Sequence, residues 1–100
     1  MVAEKPIAEE PDFEQLTTHE QFRARAGGRF GVIVIEDKAG DQPIAHDRKC
    51  PFIAEESFVE KVITMGGRQG RYYWAKNTRI AIEQLDARRC RHPGDRLAGG

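Results

Sequence analysis

Both cysteines of the chain have a histidine close by. His46 lies four residues before Cys50 in His-Asp-Arg-Lys-Cys, and His92 lies two residues after Cys90 in Cys-Arg-His-Pro. The chain has two Cys and three His, so these pairs use nearly all of its soft ligands. Thiolate and imidazole are good ligands of tetrahedral Zn²⁺, and two close pairs separated by a long insert are a pattern that such an ion can clamp. The expected ligands of one structural Zn²⁺ are therefore His46, Cys50, Cys90 and His92. His92 is the tightest-spaced of them, and Asp47 or Asp95 can take its place. The same residues also fit two thiols with incidental histidines, or a Cys50–Cys90 disulfide.

Several local elements must carry these residues. Thr18-His-Glu-Gln21 has the form of a capping box, so a short helix is expected from His19 to Ala26, closed by Gly27-Gly28 in a left-handed cap and anchored by Phe22. Phe30–Ile35 is short, β-branched and continuous, which predicts a strand. Residues 36–41 read as a turn, and Gln42–His46 as the returning strand, with Pro43 favouring a sheet edge. The hairpin then delivers His46 and Cys50 at its end. Glu55–Met65 reads as a helix, with Phe58, Val62 and Met65 at helical spacing and Gly66-Gly67 as its stop. Gly70–Ala75 reads as a third strand, and Asn77 or Thr78 as the cap of a last helix to about Arg88, with Ile82 and Leu85 inward.

The fold class that follows is α+β. One small domain over residues 13–95 is expected, a β-hairpin plus a third strand with two or three short helices, the sheet covered on one face. Residues 1–12 and 96–100 read as disordered tails, the first of them acidic. About 80 ordered residues make a marginal core, and a zinc staple suits that size. No stretch approaches the roughly 20 apolar residues of a membrane span. The acidic start lacks a secretory h-region, which points to a cytoplasmic protein that keeps its thiols reduced.

Formal net charge is zero, but residues 1–60 hold seven Lys/Arg against thirteen Asp/Glu and residues 61–100 hold nine against three. A basic C-terminal part suggests an anionic partner, DNA before RNA, unless the two halves pair with each other in the fold. Gly66–Trp74 interleaves Gly, Arg and aromatics, so Arg68 and Arg71 can meet phosphates and an exposed ring can stack on a base. Alternation puts Tyr72 and Trp74 on one face and Tyr73 on the other, so some of these rings must be core. The candidate nucleic-acid contacts are Arg68, Arg71, Tyr73, Lys76, Arg79, Arg88, Arg89 and Arg91. Catalysis has little to build on: His19 is expected to face solvent, and Glu55 or Glu56 could serve as a base only beside a zinc with an open position. A second reading is a metal-free protein-interaction adaptor of a bacterial cytoplasmic complex, docking through its acidic N-terminal segment, an exposed aromatic strand or β-addition at residues 42–46, with monomer and homodimer both open.

The segment from His46 resembles the Ada-type zinc domain of bacterial alkylation-response proteins. That family has a Cys-x-x-x-Cys pair, an aromatic strand, a short Ala-rich helix and a Cys-x-x-Cys pair followed by Pro. Here His46-x-x-x-Cys50 keeps the first spacing, Tyr72-Tyr73-Trp74 stands for the strand, Thr78–Ala87 for the helix, and Arg88–Pro93 for the closing region. The resemblance implies a zinc fold and DNA contact. It does not imply suicidal methyl transfer, because the family's methyl-accepting cysteine corresponds to His46, and imidazole cannot replace that thiolate. The family's penultimate cysteine corresponds to Ala87, which leaves His92 as the stand-in.

Overall fold

The computed structural model describes residues 11–37, 42–51, 53–68 and 70–91. The expected tails, most of the 36–41 turn, Asp95 and His92 lie outside the described residues, apart from Pro11 and Asp12. The chain runs β1 (Phe13–Leu16), α1 (His19–Ala26), β2 (Val32–Asp37), β3 (Ile44–Asp47), α2 (Glu55–Phe58), a π-helical continuation (Val59–Thr64), β4 (Gly70–Ala75), α3 (Thr78–Leu85) and β5 (Arg88–Arg89). The strands form a five-stranded sheet in the order β1-β4-β2-β3-β5. All neighbours are antiparallel except β3 and β5. The α+β class is thus as expected. Among the described residues no helix is long and apolar enough to cross a membrane.

Local signals explain the helices. Thr18 accepts from the Gln21 N–H at 3.1 Å, and the Gln21 side chain accepts from the Thr18 N–H at 3.0 Å. This reciprocal cap starts α1 at His19, as the sequence predicts. Thr18→Ala is expected to lower stability by about 1 kcal/mol in urea unfolding. The helix stops after Ala26, but Gly27 has φ −90° and is not left-handed. Close approach explains this glycine instead: a Cβ there would lie 3.0 Å from the Arg23 carbonyl. Asn77 accepts from the Ile80 N–H at 2.9 Å and starts α3. Asp86, left-handed at φ 56°, ends α3 three residues before the expected Arg88. Ile82 is exposed, not inward, and the residues of α3 that pack on the sheet are Ile80, Ala81 and Leu85.

The second helix departs most from expectation. It is α-helical for one turn and then π-helical, with the Met65 N–H donating to the Glu60 carbonyl at 2.9 Å. Its second half is rich in the β-branched residues Val59, Val62, Ile63 and Thr64, which are poor α formers. Phe58 is buried, Val59 and Val62 pack on the core, and Ile63 is exposed.

The sheet is covered on both faces, which corrects the one-face expectation. Directly opposed residues share a face. Val32, Val34, Ala45, Tyr73 and Ala75 therefore form one core with α3, whereas Ile33, Tyr72 and Trp74 form another with Phe22 of α1 and Phe58 of α2. The short strand β1 supplies Leu16 to the second core and Phe13 to the first. The residue 42–46 segment is not a free edge either. β5 lies outside β3, and the Arg88 and Cys90 N–H groups donate to the Pro43 and Ala45 carbonyls, both at 2.9 Å. β-Addition at that strand is therefore unavailable.

Candidate metal centre

Strand register brings three of the four expected ligand residues together, His46, Cys50 and Cys90. His46 opposes Ile33, so its ring points to the Trp74 face. β5 pairs parallel with β3, Ala45 opposite Arg89, so Cys90 continues beside His46 on that face. Cys50 arrives by a tight turn, in which its N–H donates to the Asp47 carbonyl at 2.9 Å and the Asp47 carboxylate accepts from the Lys49 N–H at 3.0 Å. The turn is tied to the end of α1 by Arg48, whose guanidinium donates to the Gly28 carbonyl. On the other side, the Gln42 amide donates to the Asp86 carbonyl at 2.6 Å and holds β3 against the end of α3.

His46, Cys50 and Cys90 each offer a ligand atom, and these atoms lie within 4.8 Å of one another. The Cys50 Sγ is 3.6 Å from the His46 Nδ1 and 4.0 Å from the Cys90 Sγ. A tetrahedral ion with sulfur at about 2.3 Å and nitrogen at about 2.0 Å requires S···S near 3.8 Å and S···N near 3.5 Å, by geometry alone. The spacing therefore fits a metal, and it is roughly twice the length of a disulfide bond. The two cysteines are not disulfide-bonded. All three residues are buried, at 4, 2 and 3 % exposure. Polar groups removed from water that far must be satisfied, and a shared cation does this for all of them at once. This buried His/Cys/Cys group could hold a metal ion.

A cavity of about 560 Å³ adjoins the group and shares His46 and Cys90 with it. Its base is a single row across the sheet: Tyr72, Ile35 and Ile44 oppose one another in β4, β2 and β3, and Arg88 is the next member in β5. Ser57 of α2 and Lys61 of the π-helical segment wall it from above, and Arg89 and Arg91 stand beside it. Lys61 is held by Asp37 at 3.3 Å. Sequence reasoning missed Ile35, Ile44, Ser57, Lys61 and Tyr72 as members of a site. Four elements contribute them, and no local signal joins them.

The predicted nucleic-acid contacts do not form one strip. Arg88, Arg89 and Arg91 gather at the cavity and are exposed. None of the three pairs with a carboxylate among the described residues. Arg71 reaches Glu36 at 3.8 Å and Lys76 reaches Asp12 at 3.9 Å, so part of the charge asymmetry is spent between the two halves of the chain. Arg68 is exposed after the π-helical segment, and Arg79 is exposed on α3, across the sheet from the cavity. Tyr73 is a correction. It is buried, its ring stacks on Phe13 at 5.5 Å and its hydroxyl donates to Glu36 at 3.3 Å, so it presents no face to a base. Its alternation against Tyr72 and Trp74 is as expected, but both of those rings are core as well.

Two titrations follow from this packing. Glu55 accepts from Arg23 at 2.7 Å and contacts His19, so its carboxyl is held below the usual range, first by the Arg23 hydrogen bond and then by the His19 one. That makes it a poor general base. Burial pushes the Tyr72 phenol up to about 12, with Asp37 adding to the effect. A phenol that stays neutral in the fold stabilises it fully below its ordinary value of 10.0, and this contribution is lost as pH rises to about 12. Tyrosinate absorbance of Tyr72 is therefore expected near pH 12 in the folded protein and near 10.0 after unfolding in urea.

The chain matches no protein family, no curated protein and no solved structure.

Proposed function

We propose that this domain is a small zinc-stabilised module that binds nucleic acid, DNA in preference to RNA, beside its metal. The observation that carries the reading is the buried trio His46, Cys50 and Cys90, with separations that suit a tetrahedral ion. Zinc is the metal that two thiolates and an imidazole favour, and His92 is the fourth ligand the sequence offers. The order of ligand pair, aromatic strand, helix and closing ligand supports the reading too, since it parallels the Ada-type arrangement.

Nucleic-acid contact rests on Arg88, Arg89 and Arg91, an exposed cationic group next to Cys90. Each phosphate contact contributes about 0.9 to the slope of log affinity against log salt on duplex DNA. Arg88→Ala with Arg89→Ala is expected to weaken binding and to reduce that slope by about 2. Metal analysis by native mass spectrometry is expected to give one zinc per chain, lost in Cys50→Ala and Cys90→Ala. A metal-free folded protein, or binding that ignores salt, overturns the reading.

A further inference from the structure

The cavity beside the metal group has walls of two chemical kinds. Ile35, Ile44 and Tyr72 give it an apolar base, and Arg88, Arg89 and Arg91 give it a cationic side. Its volume of about 560 Å³ is far larger than an inorganic anion needs and falls in the range of about 300–1,000 Å³ typical of small-molecule sites. Among the described residues lining it, four cations, Lys61 included, face one carboxylate, Asp37, and that carboxylate is already engaged by Lys61. The ligand that matches such walls carries an apolar, flat part and a dianionic or monoanionic end. Guanidinium groups recognise phosphate in the required way, through planar donors. Ser57 and Gln42 add polar side chains to the lining, and the Gln42 amide also donates to the Asp86 carbonyl.

We propose that this cavity binds one nucleoside monophosphate unit, with the phosphate on Arg88, Arg89 and Arg91 and the base over the half-buried side chains of Ile35 and Ile44. The unit is either a free nucleotide or an unpaired residue of a single strand. The second source rests on the nucleic-acid reading above and sharpens it: a base paired in a duplex cannot enter a cavity without leaving the stack. The module would thus select unpaired over paired nucleic acid.

The test compares three probes on the metal-loaded protein: a labelled mixed-sequence single-stranded DNA, the same DNA as duplex, and adenosine monophosphate as direct ligand and competitor. Two variants accompany them. Ser57→Trp fills the cavity from α2, and Arg89→Glu reverses an exposed charge, with circular dichroism and zinc content reporting that the fold is kept. The single strand is expected to bind at least about tenfold tighter than the duplex, and each variant to weaken it about tenfold. Competition by the mononucleotide supports an end or flipped unit in the cavity. Binding of the mononucleotide without either DNA keeps the cavity site and removes the nucleic-acid reading. Equal binding of single strand and duplex, untouched by folded Ser57→Trp, overturns the cavity assignment and leaves the basic surface standing. Failure of all three probes overturns both.

Discussion

On the zinc-stabilised reading proposed above, removal of the metal is expected to lower the unfolding midpoint by roughly 15–30 °C. An ion that binds only the folded state stabilises it in proportion to the logarithm of its excess over Kd, about 4 kcal/mol at a thousandfold excess. A domain of this size moves by about 4–8 °C per kcal/mol. The structural reason for so large a share is that the side chains able to hold the ion come from sites forty residues apart. His46 and Cys50 flank the turn after β3, and Cys90 follows β5, a strand of only two residues. β5 is otherwise joined to β3 over only two residue pairs, Ile44–Arg88 and Ala45–Arg89. The thermal scan is run with zinc and with a chelator. Cys50→Ala is expected to melt near the chelated wild type and to ignore the chelator. Identical melting of the wild type with and without chelator would show that the trio holds nothing that matters to the fold.

The second large effect is expected at Gly31, which has φ +104°. A Cβ there would overlap the Trp74 indole, at its Nε1 and at 2.6 Å from its Cε2, and would lie 2.9 Å from the Ala75 carbonyl. Trp74 cannot give way easily. It is 1 % exposed on the interior strand β4, the Arg25 guanidinium lies 3.9 Å over its ring, and its Nε1 donates to the Phe30 carbonyl at 3.4 Å. Backbone strain of about 1–2 kcal/mol and overpacking of about 1–3 kcal/mol put Gly31→Ala at about 2–5 kcal/mol. Gly66→Ala isolates the first part, because Gly66 has φ +67° with nothing within 4 Å of its Cβ position. That variant is expected to cost about 1 kcal/mol. Urea unfolding reads both as shifts in midpoint at constant slope. Equal costs for the two variants would mean that the indole moves aside and that the contact is not a constraint.

These two predictions draw on different depths of the sequence. The Thr18–Gln21 box, the Asn77 cap and the β-branched or aromatic strands are set by neighbours within four residues, so α1, the start of α3 and β4 could be read residue by residue. The group able to hold a metal ion was legible in part as composition, since His46, Cys50 and Cys90 are rare residue types at suggestive spacing. Strand β1 was not legible, because Phe-Glu-Gln-Leu has no strand pattern of its own and exists by pairing with β4. Strand β5 was still less so, being two arginines held by the Pro43 and Ala45 carbonyls. The exposure of Ile82 and the burial of Tyr73 also escaped, because each depends on which sheet face its element meets.

The sequence by itself therefore determined the helix caps, the central strands and the identity of the residues able to hold a metal. Only the tertiary structure decided that β5 covers β3, that both faces of the sheet are filled and that Cys90 comes beside His46. It also decided that a cross-sheet row and three arginines enclose one cavity. Local preferences act through hydrogen bonds and rotamers over a few residues, whereas register between strands forty residues apart is chosen by the packing of the whole core.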